Sequence, residues 1–151
     1  FLDEKASRGI AKKEAELRAM IADHDVPVEL HAWSNEPHLW LEKAHVFVLP
    51  ADIVYVNYAL LEAMGRGLVP IIQDAPGANL IVTDGIDGFI VPNDKDAWKI
   101  KMSILAENPD LRARMGYAAR QKIQRQYSLQ AYLNEYEKIY NDILNKKING
   151  D

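Results

Sequence analysis

The chain contains no cysteine among its 151 residues. Disulfides, zinc thiolate centres and thiol catalysis are therefore excluded, and the absence fits a reducing compartment. There is no surplus of positive charge either. Eighteen lysines and arginines stand against 22 aspartates and glutamates, a net charge of −4, and no basic stripe marks a nucleic-acid partner. No apolar run approaches the roughly 20 residues that a transmembrane helix needs, and no signal peptide is visible. Internal repeats and low-complexity tracts are missing. So are G-x-x-x-x-G-K-[ST], G-x-G-x-x-G and any Ser-His-Asp or Cys-His arrangement. His24, His31, His38 and His45 fall at a regular spacing, but on different expected elements. They form no heptad seam, which needs one continuous helix, and no metal pair at same-helix spacing. No metal site is expected.

What is present reads as one globular domain. Hydrophobic residues make up 48% and charged residues 26%, a composition that argues against disorder in a chain long enough for a sizeable core. Strand-like and helical stretches alternate. "IAKKEAELRAMIADHD" places Ile10, Leu17, Met20 and Ile21 at helical spacing. "VPVELHAW" is β-rich and predicts a strand, "EPHLWLEKA" a short helix with Pro37 in its first turn, and "HVFVLP" a strand closed by Pro50. "NYALLEAMGRG" is a helix capped at Asn57 and ended by Gly65 and Gly67. "LVPIIQ" is the next buried strand, "DAPGANLIVTDGIDG" a loop with a helical turn, and "FIVP" a short strand. Three helices follow, the last with Ser128 at its N-cap.

Strands apolar on both faces, each followed by a helix, predict a parallel sheet covered on both sides. The fold class expected is α/β: a Rossmann-like parallel sheet flanked by helices, with a helical tail long enough to wrap back over a neighbouring domain. Ligands in such folds bind outside the carboxyl ends of the strands. "AWSNEP", "PADIVYVN" and "DAPGANL" occupy such ends.

The helix from Asn57 begins at one of them. Its first amides, of Tyr58, Ala59 and Leu60, would point at an anion, which the helix dipole also favours. Glu62 lies five residues past Asn57, about 7.5 Å along the axis at roughly 1.5 Å per residue, where a carboxylate could accept hydrogen bonds from a ribose diol beside a diphosphate. On spacing alone, though, Glu62 reads as a solvated helix acid, the ordinary place of a glutamate. Gly77 either lets backbone approach a ligand closely or punctuates a plain loop. Trp33 either stacks on a base or sugar or packs in the core. Tyr132, Tyr136 and Tyr140 share one face of the last helix and read as packing.

Taken together, "HVFVLP", "ALLEAMGRGLVPII" and "GANLIVTDGIDGFIVP" resemble the C-terminal half of the group 1 (family 4) retaining glycosyltransferases. There the pattern runs roughly "DVFVLPS…EGFG…LLEAMA.G.PVI…GG..EIV.DG..GFLV". The similarity covers nearly the whole chain. It implies the C-terminal, donor-binding domain of a two-domain GT-B fold and transfer from a UDP-, GDP- or ADP-sugar to an unidentified acceptor. It further implies retention of configuration, no metal, and no cofactor beyond the donor itself. Glu62 would be the second glutamate of the family's Glu-x7-Glu motif and contact the donor ribose. Amides from Asn57 to Leu60 would face the diphosphate and sugar, Ala32 and Trp33 the nucleobase, and the loop around Gly77 and Ala78 the sugar. The setting implied is cytoplasmic, membrane-peripheral only through parts outside this chain.

The departures are specific. Val54 occupies the place of the motif's first glutamate, "VYVN" replaces "EGFG", and Leu80 replaces the acid after the Gly-Gly pair. "FL" at the start resembles the end of a second strand. This places the family's diphosphate-binding Arg and Lys, its first β-α unit and its acceptor domain on a preceding segment or a partner chain. Lys5 and Arg8 follow a different strand. Each donor to a developing anion is typically worth about 3 kcal/mol, or a hundredfold or more in rate, so the chain alone would be a poor catalyst. A non-catalytic domain serving as a binding or scaffold module is the alternative that Val54 and Leu80 suggest. A nucleotide-sugar epimerase of the same fold is a further one.

Overall fold

Three short runs rich in Val, Ile and Leu form the sheet: β1 (Val46–Leu49), β2 (Val69–Gln73) and β3 (Phe89–Val91). The computed structural model describes residues 4–24, 27–31 and 34–149. The strands are parallel in the order β1-β2-β3, with Leu49 opposite Ile72 and Ile72 opposite Ile90. Each strand is joined to the next through a helix. The chain divides into two compact units, Phe1–Glu36 and Pro37–Asp151, and the sheet lies in the second.

In the second unit, α2 (His38–Leu41) precedes β1, α3 (Tyr58–Gly65) links β1 to β2, and α4 (Ala78–Ile81) links β2 to β3. Helices α5 (Lys95–Glu107), α6 (Pro109–Gln126) and α7 (Leu129–Asn149) follow. Side chains alternate along the strands, so the sheet has two apolar faces. Ile72, Ile90, Phe47 and Leu49 pack with Leu60 and Met64 of α3 and Ala119 of α6. Val69, Ile71, Phe89 and Val91 pack with Leu105 of α5 and Met115 of α6. Every residue of β2 is buried. Edge strand β1 is covered less completely, and Val48 remains 39% exposed, so the expectation of a sheet covered on both sides holds for the centre and not for this edge.

The Asn57 and Ser128 caps act as expected, and Asp94 caps α5 in the same way. Asn57 accepts from the Leu60 amide at 3.0 Å, Asp94 from the Ala97 amide at 2.9 Å, and Ser128 from the Ala131 amide at 3.1 Å. Helix α3 ends where Gly67 takes φ +85°: its N–H donates to the Met64 carbonyl and that of Leu68 to the Ala63 carbonyl. Paired bonds of this kind satisfy carbonyls that the helix end would otherwise orphan.

The first unit holds α1 (Glu4–His24), as the spacing predicts. The strand expected at 26–33 does not form over its described part, residues 27–31. Val26, Ala32 and Trp33 lie outside the described residues. A β-rich composition supplies an extended preference, whereas a strand needs a ladder partner. Here Val28 and Leu30 instead face Ile21 and Ala22 of α1 across a small cleft, and Val28 stays half-exposed.

Candidate functional site

At the carboxyl end of the sheet, β1 runs into a loop over 50–57 and β2 into a loop over 74–77. The two loops are bonded together, the Val54 N–H donating to the Pro76 carbonyl at 3.0 Å. Gly77 takes φ +93°, and a Cβ there would lie 2.7 Å from the Tyr55 nitrogen and 2.9 Å from its Cα. Its glycine is therefore required by the chain's own backbone: Tyr55, and not a ligand, fills the space that the absent side chain leaves. Ala78 is fully buried and its amide donates to the Ala75 carbonyl at 3.0 Å. It offers a ligand neither side chain nor amide, which removes it from the expected contacts.

Helix α3 resolves the position of its one acid. Leu60, Ala63 and Met64 turn into the core, while Tyr58, Ala59, Glu62 and Arg66 form the exposed face. Glu62 thus lies on the side of α3 that is open to solvent, one turn from the helix N-terminus. The Asn57 cap engages the Leu60 amide, which withdraws that amide from the three expected to face an anion. Among the described residues, the amides of Tyr58 and Ala59 keep no acceptor, as the first amides of a helix must unless a cap or ligand meets them. The Tyr58 side chain is 74% exposed.

Val54 is fully buried, packed with Leu60, Ile72, Ala78, Ile81 and Val82. The position that the resemblance gives to a glutamate therefore belongs to the core here. Leu80 is 67% exposed. Ala32 and Trp33, expected at the nucleobase, lie outside the described residues.

Sequence reasoning missed two polar residues at this end. Gln73, the last residue of β2, is only 8% exposed, and its Nε2 donates to Oδ1 of the exposed Asp52 at 3.1 Å. The available signal was a polar residue at the carboxyl end of each apolar run, Asp52 in "PAD" and Gln73 closing "VPIIQ". Tyr58 also lines a groove of about 920 Å³ with Val56, Leu61, Ala131, Tyr132 and Tyr136. The rings of Tyr132 and Tyr136 pack tilted at 41° with centroids 4.5 Å apart, and hydrogen bonding to Tyr136 raises the pKa of the Tyr132 phenol above its ordinary value. The tyrosine face expected to be packed is thus paired with itself and half-exposed. A separate groove of about 710 Å³ at the amino ends of the strands carries Arg66, Arg112 and Arg120, with Arg112 donating to the Leu105 and Ala106 carbonyls.

The sequence model of the family described as glycosyl transferases group 1 matches residues 9–122. The chain belongs to the group 1 glycosyltransferases. It is 33% identical over 81 residues to a D-inositol 3-phosphate glycosyltransferase of Streptomyces scabiei, an overlap of 53% of this chain and 18% of that protein. It is 28% identical over 119 residues to a UDP-Gal:alpha-D-GlcNAc-diphosphoundecaprenol alpha-1,3-galactosyltransferase of Escherichia coli, covering 78% of this chain and 30% of the relative. This group 1 chain therefore spans less than a third of the length of either curated relative. Its fold is shared with Anabaena HepE, solved in complex with UDP, at a TM-score of 0.78, 15% identity and 88% of this chain against 38% of that one. The C-terminal domain of a group 1 glycosyl transferase from Francisella tularensis matches at a TM-score of 0.68 and 19% identity, covering 78% of this chain and 64% of that one. The fold is that of a Rossmann-like GT-B C-terminal domain with a helical C-terminal part. Among the described residues, no helix is long and apolar enough to cross a membrane.

Proposed function

We propose that this chain is the donor-binding part of a glycosyltransferase that transfers a sugar from a nucleotide-sugar with retention and without a metal ion. The observation that carries this reading is the shared exposed face of α3, in a chain of this family. The unengaged amides of Tyr58 and Ala59 lie at the helix N-terminus, and Glu62 lies one turn behind them. The diphosphate sits against the two amides and the positive end of the helix dipole. Glu62 accepts from the ribose hydroxyls. Gly77, with Pro76, forms the wall by the sugar. The acceptor domain and the cations that meet the diphosphate are supplied from outside this chain. UDP is the first nucleotide to test, because one relative is named for a UDP-galactose donor and one structural neighbour was solved with UDP. GDP- and ADP-sugars are the alternatives.

Calorimetric titration of the three nucleotide-sugars into the whole natural polypeptide that carries this sequence tests the reading. One of them should bind, and Glu62→Ala should weaken it by about tenfold, the value of a hydrogen bond to a charged group. If none binds, the reading fails.

The burial of Val54 favours a second reading, a non-catalytic binding or scaffold module, since that position turns no side chain toward the open surface. Sugar transfer or donor hydrolysis by the wild-type polypeptide would exclude it.

A further inference from the structure

We infer that Asp52 holds a hydroxyl of the donor's sugar, with Gln73 fixing its carboxylate in place. This inference rests on the nucleotide-sugar reading above. A sugar is recognised by acceptors and donors already held in position, because ordering a free side chain on binding costs affinity. The loops after β1 and β2 carry two carboxylates, Asp52 and Asp74. Among the described residues, only that of Asp52 is held by another side chain: the buried Gln73 amide donates to its Oδ1 at 3.1 Å. Gln73 is itself held in the ladder, opposite Val91 of β3. Oδ2 of Asp52 has no partner among the described residues, and the side chain is exposed. One oxygen is thus fixed by the core and the other faces outward at the carboxyl edge of the sheet, where this fold binds its ligands. Exposed Ile53 and Tyr55 flank it with apolar surface. Val54 is buried in the core, which leaves Asp52 as the acid of this loop.

The readout is the difference in affinity between a nucleotide-sugar and its bare nucleoside diphosphate. UDP and UDP-galactose, then UDP-glucose, GDP-mannose and ADP-glucose with their diphosphates, are titrated into the whole natural polypeptide. The pair that binds the wild type should lose about tenfold of its sugar-nucleotide affinity in Asp52→Ala, with the affinity for the bare diphosphate unchanged. Asp52→Asn keeps an acceptor for Gln73 and preserves the fold. It should fall between the two, since a neutral acceptor makes the weaker bond. Gln73→Met leaves Asp52 in place but unheld, and should lower the sugar-nucleotide affinity alone. Equal affinities for wild type and Asp52→Ala, or an equal loss for the bare diphosphate, overturns the assignment and leaves the nucleotide-sugar reading standing. Absence of any nucleotide-sugar binding to the wild type overturns both.

Discussion

Val54→Glu restores the acid that the family pattern carries and should unfold much of what it is meant to repair. Val54 has no solvent exposure and packs among Leu60, Ile72 and Ala78. Losing its apolar burial costs about 1.5–3 kcal/mol. The carboxyl group that replaces it adds about 1–3 kcal/mol as a buried polar group without a partner. A total near 4 kcal/mol is a large share of the roughly 5–15 kcal/mol that holds a domain folded, and should lower Tm by about 10 °C. The penalty must also depend on pH. Burial raises the folded-state pKa of the introduced acid above its unfolded value of about 4.3. Below that value both states are protonated and the deficit is smallest. As pH rises, the unfolded state loses its proton first, so the deficit grows by up to about 1.4 kcal/mol per pH unit until the folded carboxyl ionises too. Urea denaturation of wild type, Val54→Glu and Val54→Gln between pH 4 and 8 measures this. The glutamine variant has the same size but no titration, and its deficit should stay flat. A glutamate variant that melts within about 1 °C of wild type at every pH would refute the placement of position 54 in the core.

Gly77→Ala should destabilise by about 2 kcal/mol or more, from the left-handed backbone and from a Cβ 2.7 Å from the Tyr55 nitrogen; an unchanged urea midpoint would contradict the close approach of the two loops. Asn57→Ala should cost about 1 kcal/mol and speed hydrogen exchange at the Leu60 amide, whereas Asn57→Asp should preserve both. Lys122 reaches Thr83 Oγ1 at 2.8 Å and Asp87 Oδ2 at 3.1 Å, with side chains of Lys122 and Asp87 only 13% and 5% exposed. Lys122→Ala should therefore cost about 3–5 kcal/mol by leaving a buried carboxylate without its cation, and adding Asp87→Asn should recover part of that loss in the same urea assay.

The elements that local chemistry dictates were legible. "VPII" is a continuous apolar run because the central parallel strand buries both faces, and Asn57 and Gly67 mark the ends of α3 through their own backbone demands. What depends on partners far along the chain was not. The strand expected at 26–33 has the right residues and, over its described residues 27–31, no ladder, and ladder partners are not a local property. The Leu60 amide was a candidate by its place in the first turn and Ala78 by the family resemblance, yet the Asn57 side chain takes the first and the packing of α4 buries the second. Gly77 read as either an approach to a ligand or a plain loop, and the backbone that approaches it is that of Tyr55, contributed by a different loop. Asp52 and Gln73 meet across 21 residues, a pairing that exists only because β1 and β2 lie side by side.

The central claim is that a nucleotide-sugar diphosphate sits on the first amides of α3. The direct measurement is ¹⁵N–¹H NMR of the polypeptide during titration with the nucleotide-sugar that binds in calorimetry. The account predicts saturable shifts at the Tyr58 and Ala59 amides, little change at the capped Leu60 amide, and a weaker midpoint in Glu62→Ala. Shifts confined to the opposite groove, at Arg66, Arg112 and Arg120, with Tyr58 and Ala59 unmoved, would contradict it.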